Sequence, residues 1–422
     1  MRVVVVGAGA AGIFAAWRAA QCGAEVILLE KTLRLGTKIL ISGGGKCNIT
    51  HDGPIEELIR AFRPNEGRFL RPSFYRFRND QVVEMLTSRG LRVYTRSDGR
   101  IFPLHGTAKD VVAILRGYLE EARVDLRFGV PVTDLSSEGG RVVGVETCEG
   151  RIEADAVVVA AGGSSYPNAG TTGDAWPWLR ALGHSVVKVR AALAPLYLRA
   201  ENHDPALSGV AVGECVLRTR GLDAGGKRKG LVRWYGDLLF THQGVSGPCA
   251  LGVSREVAEA MERGEVEGFV DFLPSLKQEV LDAGLSAWQK EHPKRKIGTL
   301  IEEFVPARLA PRVAEAAGLD PEGTVWGMTG NSRRRLAEIL KGFPLGAIRT
   351  VPLEKGEVVA GGVCLEEVDP HTLASRLRQG LYLCGEVLDI AGPVGGYNLQ
   401  AAFSTGYVAG ESAANGLAAR TG

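Results

Sequence analysis

The first thirty residues, Met1 to Glu30, constrain everything that follows. Val3 to Val6 form an uninterrupted β-branched run, the texture of a strand buried on both faces of a parallel sheet. Gly7, Gly9 and Gly12 follow in G-x-G-x-x-G spacing, and an Ala-rich helical stretch runs to about Gln21. Gly23 interrupts it, Val26 to Leu29 make a second apolar strand, and Glu30 stands at its end. Each part of such a unit has a physical task. Gly7 makes the tight turn, Gly9 lets a pyrophosphate approach the backbone, and Gly12 brings helix and strand together. The N–H groups and dipole of the helix start favour phosphate. Glu30 lies 23 positions after Gly7, where an acid accepts from a ribose hydroxyl.

Glycine spacing alone is weak in a chain holding 56 glycines. Here the flanking strand, helix and acid supply the context. A rival reading takes Arg2 and the apolar stretch after it for a secretion signal. The glycines would break the helix of such a signal, and no cleavage-site pattern follows. A dinucleotide-binding unit is therefore expected.

At 422 residues the chain exceeds one ordinary core, so two or three domains are expected. Apolar content of 45% and charged content of 23% are those of a globular protein. No run reaches the ~18 apolar residues of a membrane span. A net charge of +2 gives no overall pull toward nucleic acid. A small-molecule substrate is thus the expected partner. Seven scattered cysteines, none in a C-x-x-C pair, argue against a disulfide framework or a metal site. They place the chain in a reducing compartment, the cytoplasm.

Lys38 to Asn48 (KILISGGGKCN) carries three consecutive glycines, which leave the backbone bare for a close ligand. We read it as a second wall of the cofactor site, with Lys46, Cys47 and Asn48 as polar contacts. A surface hairpin is the alternative. Arg60 to Arg78 interleaves arginines with Phe62, Phe69, Phe74, Tyr75 and Phe77. Packed aromatics with solvated arginines explain it better than a nucleic-acid platform does. Helices are expected over Phe74–Ser88 and Thr107–Glu121, with a β-pair between them. Short strands should fill Asp125–Glu153 with a turn at Glu138–Gly140, and Ala154–Ala160 should be another buried strand. It ends in Ala161, Gly162 and Gly163, at the sheet edge where ligands bind, with Ser164, Ser165 and Tyr166 presented there.

From Ala191 the texture changes. Alternating segments (Ala194–Leu198, Gly213–Arg218, Leu231–Trp234, Asp237–Thr241) suggest an antiparallel sheet or small barrel. Helices are expected over Leu276–Glu291, Ile297 to about Ala317, and Arg333–Leu340. The fold class is therefore α/β: a discontinuous Rossmann-like domain (1–190 and 345–422) with an insertion. The insertion divides into an antiparallel β domain (191–270 and 325–344) and a helical subdomain (271–324).

In the tail, Gly380–Glu386 is a short buried strand ending in Gly385-Glu386, and Gly395-Gly396 opens a helix at Tyr397-Asn398-Leu399. Bare N–H groups at two helix starts suggest a long cofactor touched at both ends. FAD fits that better than NAD. A helix start beside a flavin stabilises the negative charge of its reduced ring.

Lys38–Asn48 and Gly385–Gln400 together resemble the paired signatures of the aminoacetone-oxidase-like flavoproteins, a family that includes a bile-acid (dehydrosteroid) reductase. The similarity spans nearly the whole chain, including Gly236–Ser246. It implies a two-part FAD domain with an inserted barrel and helical module. Thr37 and Lys46 stand where arginine is common, and His51 where asparagine is common. Lys46 keeps the charge but loses the guanidinium fork.

The expected activity is an FAD-dependent oxidoreductase acting on a small or polycyclic organic substrate. NAD(P)H is a candidate transient donor and oxygen a candidate acceptor, since only one dinucleotide fingerprint is present. The alternatives are a flavin-free NAD-dependent dehydrogenase and an RNA-binding or RNA-modifying flavoprotein. Expected cofactor contacts are Gly7, Gly9, Ala11, Gly12, Glu30, Lys31, Lys38, Ser42, Gly43, Gly44, Lys46, Cys47, Asn48 and Val130. To these are added Ala161, Gly162, Gly163, Gly385, Glu386, Gly396, Tyr397, Asn398 and Leu399. Lys46, Cys47, Tyr166, His242 and Tyr397 are the catalytic candidates. For His242 a structural place in its strand, and for Cys47 a packed thiol, are the alternatives.

Overall fold

The structure is a computed structural model that describes residues 1–222 and 225–416. The chain divides into two compact units. One joins Met1–Val189 to the chain from Val358 onward, and the other is Arg190–Glu357.

The first unit is built on a five-stranded parallel sheet in the order Leu381–Leu383, Ala156–Val159, Arg2–Val6, Glu25–Glu30, Asp125–Phe128. Its centre is the β-branched run Val3–Val6, which pairs with Ala156–Val159 on one side and Val26–Leu29 on the other. Val3, Val4 and Val5 have no exposed surface, as a strand covered on both faces requires. The first helix, Ala10–Gln21, lies against the last, Tyr397–Asn415. An antiparallel meander of Val132–Glu138, Arg141–Thr147 and Gly150–Glu153 turns at the expected Gly139-Gly140. Among the described residues no helix is long and apolar enough to cross a membrane.

The second unit holds a closed six-stranded antiparallel barrel, in the order Leu196–Leu198, Gly244–Ser246, Arg228–Thr241, Ala211–Leu222, Glu267–Asp271, Phe343–Thr350. Helices Gln278–Glu291, Ile297–Glu302, Ala310–Ala316 and Gly330–Lys341 share its core.

Several elements differ from the sequence expectation. The helix expected over Phe74–Ser88 is two helices, Pro64–Arg76 and Asn79–Thr87. The chain leaves the helix at Phe77 because the Phe77 carbonyl accepts from Ser404 Oγ at 2.7 Å and Gln400 Nε2 at 3.3 Å. The expected helix from Ile297 to about Ala317 is split around Pro306, which lacks the N–H needed to continue it. Leu231–Trp234 and Asp237–Thr241 are one strand, Arg228–Thr241. Within the stretch read as purely β, Pro248–Met261 is a helix whose Cys249, Ala250, Val253, Val257 and Ala260 face the core. The return to the first unit, expected at 345, comes later: Phe343–Thr350 closes the barrel and the second unit continues to Glu357.

Candidate cofactor site

The junction after the first strand is shaped by its glycines. Gly7 has φ +98°, and a Cβ there would sit 2.7 Å from the Ala160 carbonyl oxygen. A Cβ on Gly12 would fall 1.8 Å from the Gly7 oxygen, so helix and turn touch backbone to backbone. At Gly9 a Cβ would meet nothing within 4 Å, leaving open space in front of the helix start. No side chain caps that helix, so its first N–H groups are available to a ligand.

Gly7 and Gly9, but not Gly12, line a cavity enclosing about 960 Å³ of empty space, counting its open mouth. Other lining residues come from the end of the chain. Gly385 and Glu386 follow the edge strand, and Asn398 and Leu399 lie in the first turn of the last helix, which also lacks a side-chain cap. Two uncapped helix starts therefore border one space. Glu30 lines it too. Its carboxylate accepts from the Ala8 N–H at 2.9 Å and the Thr32 N–H at 2.8 Å, which fixes its orientation and leaves lone pairs for hydroxyl donors.

Lys38 and Glu386 form the charged pair of the site. Lys38 Nζ donates to Glu386 Oε2 at 2.6 Å and to Ser165 Oγ at 2.9 Å, while Glu386 Oε1 accepts from the Val359 N–H at 2.8 Å. One of the three lysine donors is left for a ligand. Ala161 and Gly162 line the same cavity. Gly163 lies behind them, where a Cβ would meet the Glu386 carboxyl carbon at 3.0 Å.

Other expected contacts are placed elsewhere. Ser42, Gly43, Gly44, Lys46, Cys47 and Asn48 do not line this cavity. Gly43, Gly44 and Gly45 all have positive φ, so the three glycines serve a left-handed turn. Ser42 Oγ donates to the Ile39 carbonyl. Cys47 is fully buried, and burial pushes its thiol up to about 12, so it is a packed thiol and not a reactive thiolate. The Asn48 amide bridges to the far loop, its oxygen accepting from the Gly396 N–H at 2.9 Å and its nitrogen donating to the Thr50 carbonyl at 3.2 Å. This stretch thus braces the last helix start. Gly396 packs so closely on Thr50 that a Cβ would sit 2.5 Å from its carbonyl carbon.

Lys31 pairs with Asp174 at 2.5 Å, and Val130 is buried with its N–H on the Glu30 carbonyl. Neither lines the cavity. The Asn398 side chain is committed to Gly392, accepting its N–H at 2.8 Å and donating to its carbonyl at 3.0 Å. Tyr397 stacks on His51, ring centroids 4.6 Å apart, and burial raises its pKa above the ordinary tyrosine value. Tyr166 is partly exposed with φ 52° at the start of a one-turn helix. His242 is exposed in a tight turn of the second unit, between Arg228–Thr241 and Gly244–Ser246, and is not part of this cavity.

The sequence reading missed Thr37, Gly170, Thr171, Ile390 and Thr405 as wall residues. Thr405 lies inside the last helix, where its Oγ1 accepts from the Gly385 N–H at 3.1 Å. A run of small and hydroxyl residues, Asn168–Gly173, was the available signal for Thr171. In Arg60–Arg78 the aromatics Phe62, Phe69, Phe74 and Phe77 are buried, and Arg71, Arg76 and Arg78 hold ion pairs.

The residues present fit FAD. Glycines clear a cradle for a diphosphate, Glu30 is set to accept from a ribose, and a second uncapped helix start borders the same cavity.

Comparison with known proteins agrees. The family described as the HI0933-like protein Rossmann domain matches residues 1–412. A 3-dehydro-bile acid delta(4,6)-reductase of Clostridium scindens is 31% identical, over 98% of this chain and 99% of its own. A ribosomal RNA dihydrouridine synthase of Escherichia coli is 27% identical, over 96% of each chain. Among solved structures, a 3-ketosteroid delta1-dehydrogenase of Sterolibacterium denitrificans shares the fold, with a TM-score of 0.55 and 16% identity over 98% of this chain and 99% of that one. The chain belongs to the HI0933-like Rossmann family and is an FAD-dependent oxidoreductase.

Proposed function

We propose that this protein reduces a carbon–carbon double bond conjugated to a carbonyl group. The observation that supports a flavin enzyme most is that residues of both chain ends, Gly7–Ala11 and Gly385, Glu386, Asn398 and Leu399, line one cavity. The names of two relatives describe related bond chemistry: one is a delta(4,6)-reductase of a 3-dehydro-bile acid, the other a synthase of dihydrouridine in ribosomal RNA. Reducing such a bond adds a hydride at one carbon and a proton at the other. FAD, when bound, supplies the hydride chemistry.

The chain has three tasks. Gly7–Ala11 and Glu30 hold the diphosphate and ribose end. Lys38, fixed by Glu386 and Ser165, offers a cation inside the cavity. Tyr397, next in sequence to the cavity residues Asn398 and Leu399 but not itself lining the cavity, carries a phenol that is protonated at neutral pH and that burial shifts further upward. It is the proton donor of this reading. NAD(P)H serves as the external reductant.

The test uses purified full-length protein. Denaturation should release FAD, and anaerobic NADPH or NADH should bleach it. Adding a 3-keto-4-ene steroid or a uridine-containing RNA should restore the oxidised-flavin absorbance. Tyr397→Phe should slow that step roughly 10²–10⁴-fold while retaining FAD. Reduced flavin that reoxidises no faster with either acceptor than without would end the reading.

A further inference from the structure

We infer that the helical part of the second unit carries a docking surface for single-stranded RNA, centred on Trp326. This goes beyond the redox reading and does not depend on it. Trp326 is 72% exposed, which leaves a large apolar ring in water. Its backbone is held firmly. It lies in the one-turn helix Val325–Gly327, where the Trp326 N–H donates to the Pro293 carbonyl at 3.1 Å and the Val325 N–H to the Arg295 carbonyl at 2.9 Å. From below, Gln289 Nε2 donates to the carbonyls of Val325 at 2.9 Å and Met328 at 2.8 Å. The ring is thus displayed on a fixed support.

Those hydrogen bonds seat Trp326 beside the segment Lys290–Lys296, which reads KEHPKRK and carries four cations against one acid. Lys290, His292, Lys294 and Arg295 are exposed. Lys296 pairs with Glu322 at 2.5 Å, whereas Lys290, Lys294 and Arg295 hold no ion pair among the described residues. A rigid exposed indole flanked by unpaired cations is what a single strand needs: a face for a base to stack on and charges for the adjacent phosphates. An acidic peptide would leave the ring unused. A membrane surface would want several neighbouring apolar side chains, and here one ring stands among cations.

The probe is a fluorescein-labelled single-stranded RNA of about twelve nucleotides, within the span one such site covers. Full-length wild type should bind it, weakening between about 50 and 200 mM salt. Trp326→Ala should lose roughly 5- to 150-fold in affinity, and Trp326→Phe should recover most of it. Lys294→Gln combined with Arg295→Gln should reduce the steepness of the log–log salt dependence by about 1.4. An unchanged circular-dichroism spectrum and thermal melt in each variant show that the second unit is still folded. The inference is overturned by absence of RNA binding, by RNA binding that Trp326→Ala leaves unchanged, or by binding to phosphatidylserine vesicles in preference to RNA. Absence of RNA binding would leave the steroid arm of the flavin test standing, so the two readings fail separately.

Discussion

His184 shows how far single hydrogen bonds determine a residue's state. The Ser375 hydroxyl oxygen already accepts the N–H groups of Leu377 at 3.1 Å and Arg378 at 3.0 Å. Its own proton must therefore go to His184 Nε2, 2.8 Å away, and the imidazole donates from Nδ1 to Glu367 at 3.1 Å. A serine whose lone pairs are spent on backbone N–H groups is a clamp, not a nucleophile. Burial lowers the His184 pKa, and nearby Arg378 lowers it further, while Glu367 opposes them. With its folded value depressed, His184 stays neutral as pH falls through about 6.5, whereas the unfolded chain takes up a proton. Stability is expected to fall from about pH 6.5 downward, before the carboxylates begin to titrate near 4.5. Urea midpoints measured across that range should slope with pH for wild type and flatten for His184→Gln, even if that variant is less stable overall.

The contact between the first and last helices rests on small residues. Gly406 and Gly410, one turn apart, lie so close to the first helix that a Cβ on either would fall 2.1 Å from the carbonyl oxygen of Ala11 or Ala15. This contact seats both uncapped helix starts against one cavity. Its signal, two glycines four apart facing alanines four apart, is present in the sequence, but the pairing partner is some 390 residues away and periodicity cannot name it. Gly410→Ala should cost about 1–3 kcal/mol by forcing the helices apart. The same substitution at Gly117, inside the helix Ala108–Glu121 where a Cβ would meet nothing within 4 Å, should stabilise by about 0.5–1 kcal/mol. Thermal melts of the two variants should move in opposite directions.

At the scale of the whole molecule, each unit has its own work. The cavity is walled by residues of the first unit, and the barrel with its helices is built on a separate core. Adding FAD to flavin-stripped protein should raise hydrogen-exchange protection in Ala10–Gln21, Glu25–Glu30 and the first turns of Tyr397–Asn415. The barrel strands Ala211–Leu222 and Arg228–Thr241 should change little; equal protection there would show that the cofactor is held differently. The strand–turn–helix–strand of Met1–Glu30 was legible in the sequence because its parts are adjacent and their spacing is local. The tail glycines were legible for the same reason. Other features were not, because they depend on partners far along the chain. Lys38 meets Glu386 across 348 positions, and Phe343–Thr350 becomes the closing strand of a barrel by pairing with Glu267–Asp271. Buried Cys47 and committed Asn398 show the same division. The sequence by itself determined the opening strand, phosphate-gripping turn and helix and the buried strands of the parallel sheet, since backbone sterics and side-chain period act over a few residues. Only the tertiary structure decided which polar groups face the cavity and which brace its walls, since that depends on what packs behind each of them.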